Sequence, residues 1–157
     1  MNISLISSTG GHWTQLNNLY KEFQKTIGTN ENEVNISLIT EKNMSTSHRE
    51  DIHFFYQQER KNKLFLFILI MNILKALALI IKLKPNYIIS TGAGVTVPYL
   101  IFGKIFGAKI IFIESYAKLS SPTVTGRIVY KFADKFYVQW PEMLKFYPKG
   151  IYKGSLY

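Results

Sequence analysis

Three short stretches of this chain carry the residue types that chemistry needs. The first is "STGGHW", residues 8–13, where an apolar run breaks at Gly10 and Gly11 and then offers His12. A glycine pair costs backbone entropy, so its use between a strand and a helix implies a tight turn or a ligand that approaches the main chain. Backbone N–H groups there, and the partial positive charge of the helix that follows, suit an anion. A neutral imidazole at the mouth of a crevice can take the proton of an attacking hydroxyl or hold that hydroxyl in place. The plainer reading, a strand–helix turn capped by a histidine, stands beside it.

The second stretch is "TGAGVT", residues 91–96, where Thr91, Gly92, Gly94 and Thr96 precede another helix. Such a turn can cradle a diphosphate, although two glycines at this place also serve packing alone. The third is Glu114, a carboxylate closing the apolar run "IIFI". It can orient a sugar hydroxyl or His12, or pair structurally with Lys118 or Arg127. Neither glycine turn reads G-x-G-x-x-G or runs into Gly-Lys-Ser/Thr, so the dinucleotide fingerprint and the P-loop are both unmet. Cysteine is absent, which excludes disulfides, thiolate chemistry and cysteine zinc sites. No metal and no cofactor is expected.

The elements that position these residues follow from periodicity. Strands are expected at 2–7, 34–40, 52–56, 86–91, 108–114 and 135–139, with a short last one near 151–156. Helices are expected at 13–27, 63–83, 97–106 and 121–133, the last with Pro122 and the serines before it in its first turn, plus one or two turns over 141–147. Residues 28–33 read as a loop and 41–51 as irregular. Alternating strands and helices imply right-handed βαβ units and a Rossmann-like open parallel sheet sandwiched by helices. With 157 residues the chain is expected to form one domain, 1–157. Ligands of such sheets sit beyond the carboxyl ends of the strands, where all three stretches fall.

The helix "KNKLFLFILIMNILKALALIIKLK", residues 61–84, sets the partner class. From Leu64 to Leu83 it would be about 30 Å long, enough to cross a hydrocarbon core. Yet Lys61, Asn72, Lys75 and Lys82 share an arc of roughly 80° at 100° per residue. An unpartnered lysine near mid-span costs about 2.5–3.5 kcal/mol on insertion scales. The expectation is therefore a helix lying in the interface, with Leu64, Phe65, Phe67 and Ile68 in the acyl boundary and the lysine arc facing headgroups. Spanning the bilayer and packing as a core helix are the alternatives. The formal charge of +9 asks for an anionic partner. Between Glu59 and Glu114 lie Arg60 and seven lysines but no acidic residue, among aliphatic runs, which favours a membrane surface over nucleic acid.

The strings "SSTGGHWTQL", "STGAGVTVP", "IFIESYAKLSSPTVTGRIVYKFADKFYVQWPEM" and "YPKGIYKGSLY" resemble one family throughout. It is the PssD/EpsE-type accessory glycosyltransferase subunits of bacterial capsular and exopolysaccharide synthesis. These are similar to the membrane-anchoring subunit of the dolichol-pathway N-acetylglucosaminyltransferase, and the glycine turns more distantly resemble the N-terminal domain of MurG and other GT-B enzymes. The resemblance implies the acceptor- and membrane-binding half of a split GT-B enzyme, inactive alone, which recruits a donor-binding catalytic subunit to the cytoplasmic face of the membrane as a peripheral or monotopic protein. It implies a polyprenyl-diphosphate-linked saccharide as acceptor and no nucleic acid. Gly10, Gly11 and His12 match the family's first glycine loop, Thr91, Gly92 and Gly94 its second, and Glu114 its acidic residue after the fifth strand. Lys118 stands where the family commonly has Arg, which keeps the charge and loses a bidentate fork. The eukaryotic relatives carry a separate N-terminal membrane helix, whereas Met1 here leads directly into a strand, so attachment is expected to fall on 61–84. Two other readings remain: a scaffold that contributes no site residue, and a small nucleotide-binding Rossmann enzyme with Glu41 on a ribose.

Overall fold

The computed structural model describes residues 1–27, 34–43, 52–59 and 61–156. The β-branched runs form strands β1 (Asn2–Ser7), β2 (Asn35–Glu41), β3 (Ile52–Phe55), β4 (Tyr87–Gly92), β5 (Lys109–Ile113), β6 (Lys135–Val138) and β7 (Ile151–Tyr152). Between them lie helices α1 (Gly11–Ile27), α2 (Phe65–Leu83), α3 (Val97–Ile105) and α4 (Val124–Val129), with 3-10 turns at Gly94–Thr96 and Pro141–Lys145. Among the described residues seven strands pair in the order β3-β2-β1-β4-β5-β6-β7, and every pair is parallel. The expected Rossmann-like sheet is therefore the observed one. Its strand order reverses between β1 and β4, which opens a crevice at their carboxyl ends. The loop expected at 28–33 and most of the irregular stretch at 41–51 lie outside the described residues.

Strand alternation sorts the core into two layers. Ile3, Leu5, Leu38 and Ile89 face α1, which meets them with Trp13, Leu16, Leu19 and Phe23. Ile6, Ile39, Ile88, Ile110 and Phe112 face the other side, covered by α2, α3 and α4 through Ala76, Leu79, Ile80, Tyr99, Leu100 and Val129. Tyr99 is fully buried, and its hydroxyl meets Ser4 Oγ at 2.8 Å. That burial pushes the phenol up to about 12. Gly103 lets α3 approach β4, because a Cβ there would collide with Ile88. α2 ends where Lys84 turns left-handed at φ 44°, just before Pro85.

Two expectations are corrected. The helix expected over 121–133 is only Val124–Val129, and its cap is Thr123, whose Oγ1 accepts the Gly126 N–H at 2.7 Å. The residues before it cannot join the helix because Ser115 and Thr123 are tied by their N–H groups to Glu114. The polar arc of α2 also faces differently. Asn72 is buried against the sheet side, and its amide grips both the N–H and the carbonyl of Tyr56 at 2.8 Å. Lys75 is half-buried on the flank, its ammonium 5.1 Å from the Tyr56 ring centre, and Lys82 is exposed. The outward face is apolar instead: Leu66, Phe67, Ile70, Leu74 and Ile81 are all more than half exposed.

Candidate functional site

At the β1/β4 reversal the two glycine turns are stitched together. His12 Nδ1 lies 2.6 Å from the carbonyl oxygen of Thr91, and Thr91 Oγ1 donates back to the His12 carbonyl at 2.8 Å. The Ser8 N–H reaches the Gly92 carbonyl at 3.2 Å. A carbonyl only accepts, so Nδ1 carries a hydrogen, and in the neutral ring this leaves the lone pair on Nε2. The imidazole, half-buried at the head of α1, is thus oriented by one turn while sitting on the other. That is the arrangement a proton acceptor requires.

The glycines divide by cause. Gly10 has φ 73° and Gly92 has φ 108°, both in the left-handed region, and a Cβ on Gly92 would press on the His12 ring at 3.2 Å. Ala93 is forced to φ 80°, a conformation that costs a non-glycine residue of order 1–3 kcal/mol. Thr96 holds that strained turn, donating Oγ1–H to the Ala93 carbonyl at 2.8 Å. Gly94 differs: its φ is ordinary, and among the described residues nothing lies within 4 Å of the Cβ it lacks. The Thr91 and Thr96 hydroxyls therefore hold the turns in place, while Gly94 leaves open space.

Glu114 lies elsewhere than the crevice. It is 1% exposed. Its carboxylate accepts the Ser115 N–H at 2.8 Å, the Thr123 hydroxyl at 2.9 Å and the Tyr147 hydroxyl. Burial, and then this carboxylate, push the Tyr147 phenol far up. Gly126 completes the packing, because a Cβ there would strike Glu114, Tyr147 and Thr123. The side chain thus fastens the 115–123 loop and the start of α4, while only its backbone carbonyl, held by Gln139 Nε2 at 2.8 Å, faces the α1 layer. The carboxylate that does stand at the crevice is one the sequence suggested only as a ribose ligand. Glu41, which ends β2, is 6% exposed and lines a cavity with Ser8, Gln58 and Gly94. Its position at the end of a parallel strand was the available signal. Among the described residues no group of His, Asp and Glu is arranged to hold a metal ion.

A family model described as "Oligosaccharide biosynthesis protein Alg14 like" matches residues 3–156. The chain belongs to the Alg14-like family. The human UDP-N-acetylglucosamine transferase subunit ALG14 is 22% identical over 179 residues, a match covering 99% of this chain and 83% of that protein. The Schizosaccharomyces pombe subunit is 35% identical over 75 residues, covering 45% of this chain and 36% of the relative. Among solved structures, Acinetobacter baumannii MurG superposes with a TM-score of 0.69 at 16% identity, over 90% of this chain and 42% of MurG. The UDP-N-acetylglucosamine 2-epimerase of Rickettsia bellii gives 0.74 at 14% identity, over 99% and 45%. At such identities the likeness is one of fold. This Alg14-like chain spans under half the length of those two solved chains.

Proposed function

We propose that this Alg14-like chain is the acceptor- and membrane-binding subunit of a two-component glycosyltransferase of bacterial capsular or exopolysaccharide synthesis. It works at the cytoplasmic face of the membrane on a polyprenyl-diphosphate-linked saccharide. The observation that carries this reading is the pairing of two features on one sheet: the crevice formed by the stitched glycine turns and the bare apolar face of α2. His12 Nε2 would receive the proton of the acceptor hydroxyl, and the Gly92–Gly94 turn would hold the diphosphate. Glu114 would serve as a positioning residue for the 115–123 loop.

The arrangement of α2 favours lying on the bilayer over crossing it. One side of the helix, through Asn72, Ala76, Leu79 and Ile80, is built into the domain core. Threading α2 through the membrane would strip that core, whereas laying the outer face on the interface keeps it. Full burial of a Leu, Ile or Phe side chain is worth about 1.5–3 kcal/mol. The outward row on α2, continued by Ile105 and Phe106 at the end of α3, therefore gains from an apolar cover.

The test is co-expression with the neighbouring reading frame, purification and an assay for sugar transfer. The pure single chain should transfer nothing from any nucleotide sugar, and the pair should turn over; turnover by the single chain contradicts the proposal. Within the pair, His12→Ala should lower the rate by about 10²–10⁴-fold with assembly intact. Full activity of that variant would support a scaffold that contributes no site residue.

A further inference from the structure

On the α2 side of the sheet, beside the glycine turns, a cavity of about 410 Å³ stands open. Its polar wall is Ser8, Glu41 and Gln58, its apolar wall is Phe65 and Leu69 from the first turns of α2, and Gly94 borders it. The volume falls within the range of small-molecule clefts, roughly 300–1,000 Å³.

The chain builds this cavity deliberately. The segment leaving β3 is pinned twice: Asn72 grips both backbone groups of Tyr56, and Glu41 Oε1 accepts the Gln58 N–H at 2.8 Å. Gln58 is thereby fixed at the crevice, yet its own Nε2 is buried and has no hydrogen-bond partner among the described residues. An unpaired buried donor costs on the order of 1–3 kcal/mol, which an acceptor atom on a ligand would recover. Opposite, the space beside Gly94 is free of any clash that the fold itself would impose.

We infer that this cavity takes the saccharide unit of the acceptor, with Glu41 and Gln58 recognising its hydroxyl and amide groups; the inference rests on the acceptor-binding reading above. Charge separates the parts of such an acceptor. Among the described residues no lysine or arginine lines the cavity to balance a diphosphate. Sugar hydroxyls, by contrast, donate to a carboxylate and accept from a carboxamide N–H. The apolar face of a pyranose ring packs on Phe65, and the diphosphate falls to the backbone N–H groups of the neighbouring turn. Phe65 and Leu69 belong to the helix assigned to the bilayer, so the sugar lies at the height of the interface. A nucleotide ribose is the competing occupant, because a carboxylate closing the second strand of a Rossmann-like sheet also suits it.

The experiment measures binding of five probes to the full chain in detergent: farnesyl diphosphate, its diphosphate-linked N-acetylglucosamine and glucose derivatives, UDP and NAD. At least one sugar-bearing probe should bind about tenfold or more tighter than bare farnesyl diphosphate, the size expected for a hydrogen bond to a charged group. Glu41→Gln and Gln58→Ala should each abolish that preference without changing the affinity for farnesyl diphosphate. Gln58→Ala removes no packed core side chain, and its melting curve serves as the fold check. A preference kept by both variants, or absent from the native chain, overturns the inference and leaves the acceptor reading standing. Binding of UDP or NAD that Glu41→Gln removes overturns it in favour of a nucleotide. Failure of the native chain to bind any prenyl probe overturns the acceptor reading, and the inference with it.

Discussion

Gly92 and Gly94 are two residues apart in one turn, and the structure separates their reasons for being glycine. Gly92 needs its left-handed φ and abuts the His12 ring, whereas Gly94 has ordinary geometry and open space around its missing side chain. Gly92→Ala should accordingly destabilise the fold by about 1 kcal/mol or more, from strain at positive φ. Gly94→Ala should melt like the native chain and yet weaken binding of farnesyl diphosphate, because its methyl group intrudes on the cradle. Thermal melts beside binding titrations test both; equal melting and equal binding for the two variants would remove the distinction. At this scale the sequence revealed which residues are unusual but not where their side chains point. In β5, Ile110 and Phe112 face the α2 layer and Ile111 and Ile113 the α1 layer, so Glu114 continues the alternation towards α4 and Tyr147. That direction could be read only once the side of the sheet occupied by each helix was known. The same gap left Glu41 with only the ribose role, since its place in the cavity depends on the return of the 56–58 segment over it.

At the scale of elements, periodicity located all seven strands and the three longer helices, because β-branched runs and helical spacing are properties of contiguous residues. It failed at α4, where side-chain capping by Thr123 and the ties to Glu114 override the apolar pattern of 121–133. It failed again for the orientation of α2, where counting polar residues favoured an arc that tertiary hydrogen bonds turn inward. Two predictions separate the inner and outer faces of this helix. Asn72→Leu leaves the Tyr56 N–H and carbonyl without partners, which should cost about 1–3 kcal/mol per group in urea unfolding. Folded Asn72→Leu protein should still bind vesicles as the native chain does. Phe67→Glu and Leu74→Glu act in the opposite way. Both positions are exposed, so stability should change by about 0.5 kcal/mol or less. Each should nonetheless lower vesicle affinity about tenfold or more, since roughly 1.5–3 kcal/mol of apolar burial per side chain is lost. Flotation unaffected by either substitution would assign the bilayer contact to another surface.

The whole molecule carries a charge of +9, and the structure shows how unevenly it is neutralised. Asp134 offsets Lys104 at 2.8 Å and Lys109 at 3.7 Å, at the end of α3 and start of β5. Among the described residues, Lys61, Lys63, Lys75, Lys82 and Lys84 have no such carboxylate, and they lie along or beside α2. The field they create is felt on the neighbouring edge strand. Burial, and then the charges of Lys82 and Lys75, hold the His53 imidazole below its ordinary range. An apolar face edged by uncompensated cations should bind membranes through two terms with different salt responses. Exposed charges are screened over about 8–10 Å at 0.1–0.15 M salt, while apolar burial is not. Binding to vesicles containing phosphatidylglycerol should therefore exceed binding to pure phosphatidylcholine at low salt. The excess should disappear by about 0.5 M salt, leaving a common residual affinity that Phe67→Glu removes. Lys75→Gln with Lys82→Gln should lower the low-salt excess and spare the residue at high salt. Retention on DNA stronger than on vesicles, or salt dependence running to zero affinity on both lipids, would mean that charge alone draws this chain to its partners and that the bare face of α2 is covered by something other than lipid.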